Sequence, residues 1–253
     1  PNITSWVGYE SALQDYYNRK ITYSEFVDRV SFFEKSNTDW FDIICQDVFS
    51  HNHNLSLSGG SANMRYNASL GYTRENGMLR KESMDRYTAR VGLNLNYDKF
   101  TMQFSLSGNV QEKNYTPDEV GLMNYAYQTS RAVPAYNEDG SLWYYPQTFS
   151  GYEFPVNYNI LHERQHAEHE INSSSLSLST SLGYRFFQGF KADLTMSYTI
   201  NNTDDDTYFG EKSAYAAALR GETSGTGVFK NLMPFGAELR KNHTRNTSFL
   251  LRG

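Results

Sequence analysis

The chain has 253 residues, of which 39% are hydrophobic and 20% charged, and its formal net charge is −5. This mild acidic balance, with basic residues scattered singly, excludes the clustered basic surface that binding to nucleic acid requires. A single cysteine, Cys45, excludes a disulfide framework within the chain. No apolar run approaches the roughly 20 residues of a spanning helix. The opening at Pro1, without a signal peptide or an initiator Met, predicts a mature or excerpted sequence.

Residues 1–50 have helical rather than strand periodicity. Thr22 and Glu25 have the spacing of a capping box, in which the hydroxyl and the carboxylate each satisfy a backbone N–H at a helix start. A second short helix is predicted to start at Thr38. The apolar positions at helical intervals are Phe26, Val30 and Phe33 in the first helix and Trp40, Ile43, Ile44 and Val48 in the second.

From His51 onward apolar and polar residues alternate with a period of two, which predicts strands with one apolar and one polar face. The apolar series are Tyr66, Ala68, Leu70 and Tyr72; Tyr87, Ala89, Val91, Leu93, Leu95 and Tyr97; Phe100, Met102, Phe104 and Leu106; Leu176, Leu178, Leu182 and Tyr184; and Phe190, Ala192, Leu194, Met196, Tyr198 and Ile200. The opposite, polar face includes Arg65, Arg90, Gln103, Lys191 and Asp193.

Strand length and the positions of the aromatic residues favour a transmembrane barrel over a soluble sandwich. Several runs alternate for eleven residues or more, whereas soluble strands average about five or six and membrane-crossing strands roughly 9–11. Tyr87 and Tyr97 end one apolar series, and Tyr184 and Phe190 flank a short turn, as an interfacial aromatic girdle requires. The alternative is a soluble sandwich whose apolar faces meet in a core.

The predicted connections alternate between short and long, as in outer-membrane barrels with short periplasmic turns and long outer loops. Short ones fall at 59–63, 98–99 and 185–189, a medium one at 75–85, and long ones at about 114–166 and 204–236. About seven strands result, the last starting near Glu238, and they cannot close a barrel because the outermost strands lack partners. We therefore predict an all-β fold, an antiparallel transmembrane β-barrel sector at 51–253, after a helical segment at 1–50.

Several short blocks of sequence follow one another in an order typical of one family. They are NTDWFDII at 37–44, NHNLSLSGGS at 52–61, YNASLGY at 66–72, ENG at 75–77, RYTAR at 86–90 and YNEDGS at 136–141. This succession resembles the early barrel, and one long outer loop, of SusC/RagA-type TonB-dependent transporters of Bacteroidetes. The resemblance covers most of residues 37–200.

The resemblance implies a barrel of about 22 strands in the cell outer membrane, closed by an N-terminal plug. It implies that residues 1–50 are the first extracellular loop and that the whole protein imports oligosaccharides or peptides. The implied partners are a SusD-like surface lipoprotein as lid, TonB, and outer-membrane lipid. The plug, the TonB-contacting segment and the C-terminal strand of the family have no counterpart in this sequence, so contact with TonB is expected through a part outside it. No enzyme activity and no cofactor are implied.

One segment matches a catalytic metal motif. His162, Glu163 and His166 form an H-E-x-x-H pattern, with which a helix could hold zinc and supply a general base. The pattern ends a long loop, runs directly into a predicted strand and has no third ligand at a known spacing. The competing interpretation is a solvated strand extension, so a zinc hydrolase is the less favoured function, and we predict neither a catalytic residue nor a metal site.

Two other polar groups have ordinary explanations. His51 and His53 share a strand face and could chelate a metal, but a polar strand entry also explains them. Asp204, Asp205 and Asp206 could attract a cation, and the tip of a loop explains them equally well.

Aromatic residues of the first long loop are the candidate substrate-binding residues, because flat rings stack on sugars or pack against peptide backbones. They are Tyr125, Tyr127, Tyr136, Trp143, Tyr144 and Tyr145. The alternative is that these rings form the small core that a loop of about fifty residues needs. The alternative function for the whole chain is a soluble β-rich adhesion or binding domain.

Overall fold

The main feature of the computed structural model, which describes residues 9–148, 155–220 and 236–253, is one long antiparallel sheet. The strands are β1 (Ser50–Gly60), β2 (Met64–Asn76), β3 (Ser83–Tyr97), β4 (Phe100–Tyr115), β5 (Tyr145–Gln147), β6 (Val156–Tyr158), β7 (Ala167–Phe187), β8 (Phe190–Phe209) and β9 (Glu238–Arg252). In the described ranges seven of them form the sheet, in the order β1-β2-β3-β4-β7-β8-β9, and β5 pairs with β6. The predicted number of long strands is confirmed.

Six α-helices of the described residues lie before or between these strands. They are α1 (Tyr9–Tyr17), α2 (Tyr23–Lys35), α3 (Trp40–Ile44), α4 (Leu122–Gln128), α5 (Ile160–His166) and α6 (Ala214–Arg220). The capping box at the start of α2 is confirmed, since Glu25 N–H donates to Thr22 Oγ1 and Thr22 N–H donates to the Glu25 carboxylate. The second helix is shorter than predicted, and Val48 lies outside it. None of the helices in the described ranges is long and apolar enough to cross a membrane.

The connections fall into two groups at opposite ends of the sheet. Short turns join β1 to β2, β3 to β4 and β7 to β8, and the last of these contains Gly189, whose φ of 89° suits glycine. The connection between β2 and β3 and the two long connections lie at the other end, because all neighbouring strands are antiparallel.

The strand register places most apolar positions of the seven strands on one face. Leu93 lies between Tyr66 of β2 and Phe104 of β4. Farther along the sheet, Leu178 pairs with Tyr198. Because side chains alternate between faces along each strand, one face is mainly apolar and the other is mainly polar.

The apolar face is exposed or half-exposed in the described part of the chain. Leu55, Leu70 and Tyr87 are 70%, 60% and 57% exposed. A soluble sandwich buries such a face against a second sheet, whereas the second sheet found in the described residues is only the short β5–β6 pair. The sheet therefore has no core of its own among these residues.

Most of the buried hydrophobic side chains lie instead at the end of the sheet that carries the long connections. They include Trp40, Ile44, Leu122, Tyr125, Tyr158, Ile160, Leu161 and Phe209. The interpretation that the first long loop builds a small core is confirmed by this cluster.

The second long loop starts later than predicted. β8 continues to Phe209, so Asp204, Asp205 and Asp206 lie in a strand and not at a loop tip. The strand continues there because it pairs with β7 on one side and β9 on the other, and each carboxylate also meets a basic side chain of a neighbouring strand. These pairs are Asp204 with His243 at 2.6 Å, Asp205 with His169 at 2.8 Å and Asp206 with Lys241 at 2.7 Å.

Candidate functional site

The candidate site is the loop cluster, which comprises α3, residues 116–148, residues 155–166 and residues 210–220. These four segments belong to the N-terminal helical part, the first long loop (two segments) and the second long loop, and they pack together at one end of the sheet. Two buried polar side chains, Asn159 and Glu163, hold these parts together.

Asn159 joins the two halves of the first long loop. Its side-chain oxygen accepts the N–H of Leu161 at 2.8 Å and so caps the start of α5. Its side-chain nitrogen donates to the carbonyl oxygens of Trp143 at 2.7 Å and Ala135 at 3.1 Å. Because Asn159 is 2% exposed and its amide group is fully engaged, it fixes the path of the loop.

Glu163 joins the first long loop to the second. Its carboxylate accepts the N–H of Ala214 at 2.6 Å and that of Tyr215 at 3.2 Å, at the start of α6. Glu163 is 2% exposed, and this burial raises its pKa to about 7, since the charged form loses water. The sequence interpretation of this segment as a strand extension is wrong, because Asn159 starts a helix that turns Glu163 inward.

The zinc-hydrolase hypothesis conflicts with the bonds that these side chains make. His162 Nε2 donates to the carbonyl oxygen of Lys212 at 2.7 Å, which leaves Nδ1 to accept the Tyr144 hydroxyl at 2.9 Å. His166 Nδ1 donates to the carbonyl oxygen of His162 at 2.9 Å. Within the described residues no three His, Cys, Asp or Glu side chains are grouped to hold a metal ion. The H-E-x-x-H pattern therefore has a structural role here.

Two of the predicted substrate-binding rings are buried and cannot reach a ligand. Tyr125 and Tyr145 are 2% and 4% exposed. Their hydroxyls lie 3.4 Å apart, with Tyr145 donating, and burial raises the pKa of Tyr125 to about 12. Trp143 is half-buried between Tyr145 and Phe33, with ring centroids 5.7 Å and 6.0 Å away.

The other three predicted rings are exposed at the surface of the loop cluster. Tyr127, Tyr136 and Tyr144 are 73%, 48% and 41% exposed. Tyr127 stands edge-on against Phe41 at 5.0 Å, which makes a pair of adjacent exposed rings. Phe41 was missed as a candidate, although its place on α3 beside the buried Trp40 indicates that it points outward.

The polar face of the sheet carries hydroxyl pairs across β7 and β8. These pairs are Ser177 with Thr199 at 2.9 Å, Ser179 with Ser197 at 3.2 Å and Ser181 with Thr195 at 3.0 Å. The predicted polar residues Arg65, Gln103 and Asp193 share this face by register and alternation. Gly92 leaves room for the Asn67 side chain, whose oxygen would lie 2.4 Å from an added Cβ.

Comparison with known proteins bears on both the fold and the sequence. No family model matches the chain. The chain is 31% identical over 127 residues to the TonB-dependent receptor SusC of Bacteroides thetaiotaomicron, covering 47% of this chain and 13% of that protein. It is 32% identical over 108 residues to the TonB-dependent receptor P26 of Formosa agariphila, covering 42% and 10%. The chain thus spans about a tenth of the length of these relatives.

Solved structures share the fold. The RagAB peptide transporter superposes with a TM-score of 0.62 at 17% identity, covering 86% of this chain and 23% of that one. The RagAB peptide importer in the 'open-open' state gives a TM-score of 0.58, covering 83% and 22%. The predicted resemblance to SusC/RagA-type transporters and the predicted fold are confirmed, and the sheet is not closed in this chain. The relatives are named TonB-dependent receptors and a peptide transporter, and none of these names is that of an enzyme.

Proposed function

We propose that this chain is a sector of an outer-membrane β-barrel of about 22 strands that imports substrate with energy from TonB. The observation that carries the proposal is the exposed apolar face, which runs in register across seven strands of the described residues. In water such a face favours aggregation, whereas in a lipid bilayer it is fully solvated.

The height of the apolar band supports a membrane-crossing sheet. From Tyr87 to Tyr97, β3 rises about 33 Å, at roughly 3.3 Å per residue. A strand tilt of about 40° reduces this to roughly 25 Å, the height of the apolar band on outer-membrane barrels. The row above Tyr87 carries Asp85, and its register partners are Arg74 and Glu112, so charge begins where the band ends.

The exposed rings of the loop cluster are the proposed substrate contacts. Tyr127, Tyr136 and Tyr144 stand at the end of the sheet with the long connections, the extracellular end in this assignment. The relative RagAB is named a peptide transporter, so we propose peptides or oligosaccharides as substrates. A SusD-like lipoprotein, packed on the same end, is the proposed lid, and residues 1–50 are the proposed first extracellular loop.

The first experiment is the intact mass of the protein extracted from its native membrane in detergent. A species near four times the 29.1 kDa of this chain, accompanied by a lipoprotein, is expected from a barrel of this class. A monodisperse species of 29.1 kDa in buffer without detergent would overturn the proposal in favour of a soluble binding domain.

The second experiment tests the substrate contacts. Tyr127→Ala and Tyr144→Ala are expected to weaken peptide or oligosaccharide binding by about tenfold, the effect of losing roughly 1.4 kcal/mol of stacking. Tyr125→Phe is the control, because it removes only a buried hydroxyl. Unchanged binding by both alanine variants would remove these rings from the substrate site.

A further inference from the structure

The apolar face contains a depression of about 990 Å³ near the end that carries the long connections. One row of side chains crosses it, with one member from each of six adjacent strands. The row is Leu55, Leu70, Ala89, Gly108, Leu176 and Ile200. The two central members, Ala89 of β3 and Gly108 of β4, have the smallest side chains. The surface is therefore lower at β3 and β4 than at the Leu and Ile residues on either side.

Backbone geometry does not require the glycine at the floor of this depression. A Cβ placed on Gly108 would meet only the carbonyl oxygen of Ser175 at 3.5 Å and Cδ1 of Leu176 at 3.6 Å, which are ordinary contacts. A larger residue would therefore fit in the strand and would fill the depression, which makes the open volume a property of this sequence and not of the fold.

Aromatic rings close the depression on the side of the long loops. Tyr72 and Tyr87 stack there with ring centroids 4.9 Å apart, and His53 lies parallel to Tyr72 at 6.5 Å. The Tyr72 hydroxyl donates to Asp85 at 2.7 Å, so this ring turns its polar end away from the apolar volume. The same rings mark the upper edge of the proposed lipid-facing band.

The next row beyond these rings changes from basic to acidic across four strands. Its members are His51, Arg74, Asp85 and Glu112, one strand spacing or about 4.8 Å apart. Arg74 Nη1 lies 3.3 Å from Asp85. Nδ1 of His51 is buried and has no hydrogen-bond partner in the described part of the chain. Buried polar atoms are normally hydrogen-bonded, and an oxygen of a bound ligand would supply the partner that this nitrogen lacks.

We propose that this depression holds one membrane phospholipid with a zwitterionic phosphate–amine head group. An acyl chain lies over Ala89 and Gly108, the phosphate meets His51 and Arg74, and the amine meets Glu112. The inference rests on the proposed function, because it requires the apolar face to be in a bilayer. The charges match a zwitterion better than an anion, since Asp85 and Glu112 would repel a second negative group.

Native mass spectrometry tests the proposal on the protein extracted from its native membrane. After reconstitution with equal amounts of phosphatidylethanolamine and phosphatidylglycerol, we expect one phosphatidylethanolamine to remain bound. Gly108→Leu is expected to reduce that occupancy about tenfold, a change equivalent to ~1.4 kcal/mol. Ala68→Leu is the control, because it adds nearly the same bulk to the same face outside the depression.

The head-group assignment has its own pair of variants. Glu112→Gln is expected to abolish the preference for phosphatidylethanolamine while a lipid is still retained. Lys113→Gln, which removes a charge from the opposite face of β4, is expected to leave the preference unchanged. Equal retention by the Gly108→Leu variant, a bound second copy of the chain, or no head-group preference in the wild type would overturn the inference.

Failure of the barrel and failure of the lipid site give different results. A protein that remains dispersed without detergent would refute the barrel and the lipid site together. A detergent-dependent barrel that retains no lipid would refute only the lipid site.

Discussion

The carboxylate of Glu163 accepts the backbone N–H of Ala214 across a separation of 2.6 Å, and this bond joins the two long loops at the end of the sheet. Both residues are buried, at 2% and 3% exposure. An ionised carboxylate stabilises the start of a helix through the free N–H groups there, but its burial opposes ionisation. The contact between the loops is therefore sensitive to pH.

Glu163 is expected to hold the second loop more firmly at low pH. Its pKa is raised from 4.5 to about 7 by burial, so the closed arrangement binds the proton more tightly than the open one. The added stability, at most about 3 kcal/mol, is complete below pH 4.5 and is lost as the pH rises through about 7. Hydrogen exchange of residues 210–220, corrected for intrinsic rates, should be slower at about pH 5.5 than at about pH 8.5.

Two variants separate this effect from a general change in the loops. Glu163→Gln keeps an oxygen for Ala214 N–H and removes the titration, so the exchange of residues 210–220 should no longer depend on pH. Glu168→Gln, at an exposed position on β7, should behave like the wild type. A wild-type protein with equal protection at both pH values would contradict the assignment.

Asn159→Ala should loosen the first long loop. The substitution removes the cap of α5 and leaves the carbonyl oxygens of Ala135 and Trp143 without their donor. We expect a loss of roughly 2–4 kcal/mol in the free energy of local unfolding, measured by hydrogen exchange of residues 135–145. Asn157→Ala, exposed on the neighbouring β6, is the control and should change little; comparable losses in both variants would disprove the connecting role of Asn159.

Leu93→Arg should destabilise the barrel by roughly 2–4 kcal/mol, because it places a charge in the middle of the lipid-facing band. The free energy of unfolding in lipid vesicles, from denaturant titration, measures the change. Asn94→Arg places the same side chain on the polar face of the same strand and should cost much less. An equal loss of unfolding free energy in the two variants would show that both faces of β3 are in the same environment, which contradicts a lipid-facing band.

Zinc should not bind to the H-E-x-x-H segment. His162 uses both ring nitrogens and Glu163 uses both carboxylate oxygens in bonds to the protein. After dialysis against zinc and then buffer, elemental analysis should find far less than one zinc per chain, and a chelator should not change the exchange of residues 160–166. Retention of equimolar zinc, lost in the His162→Ala variant, would revive the hydrolase hypothesis.

Sequence periodicity was sufficient to predict the strands, because the alternation of apolar and polar residues is a property of neighbouring positions in the chain. From Tyr87 to Tyr97, every second residue of β3 keeps one face apolar, and a register shift of one residue would move all of these side chains to the other face. The acidic run at 204–206 could not be assigned to a strand in this way, since its place in β8 depends on pairing with β7 and β9, whose residues are distant in sequence.

The loop cluster could be predicted only in part. A long loop rich in aromatic residues needs a core, which the sequence indicates, but the choice between buried Tyr125 and exposed Tyr127 depends on how α4 packs against Trp40. Likewise, the H-E-x-x-H motif does not distinguish a Glu163 that faces a metal ion from one that binds the start of α6.

The amino-acid sequence by itself therefore determined the strands, their two faces and the family resemblance, because alternation and short ordered motifs are properties of neighbouring residues. Only the tertiary structure decided which rings are available to a ligand, what Glu163 binds, and where the apolar face sinks at Ala89 and Gly108. Each of these depends on contacts between strands or loops that are far apart in the chain, and local periodicity carries no information about such contacts.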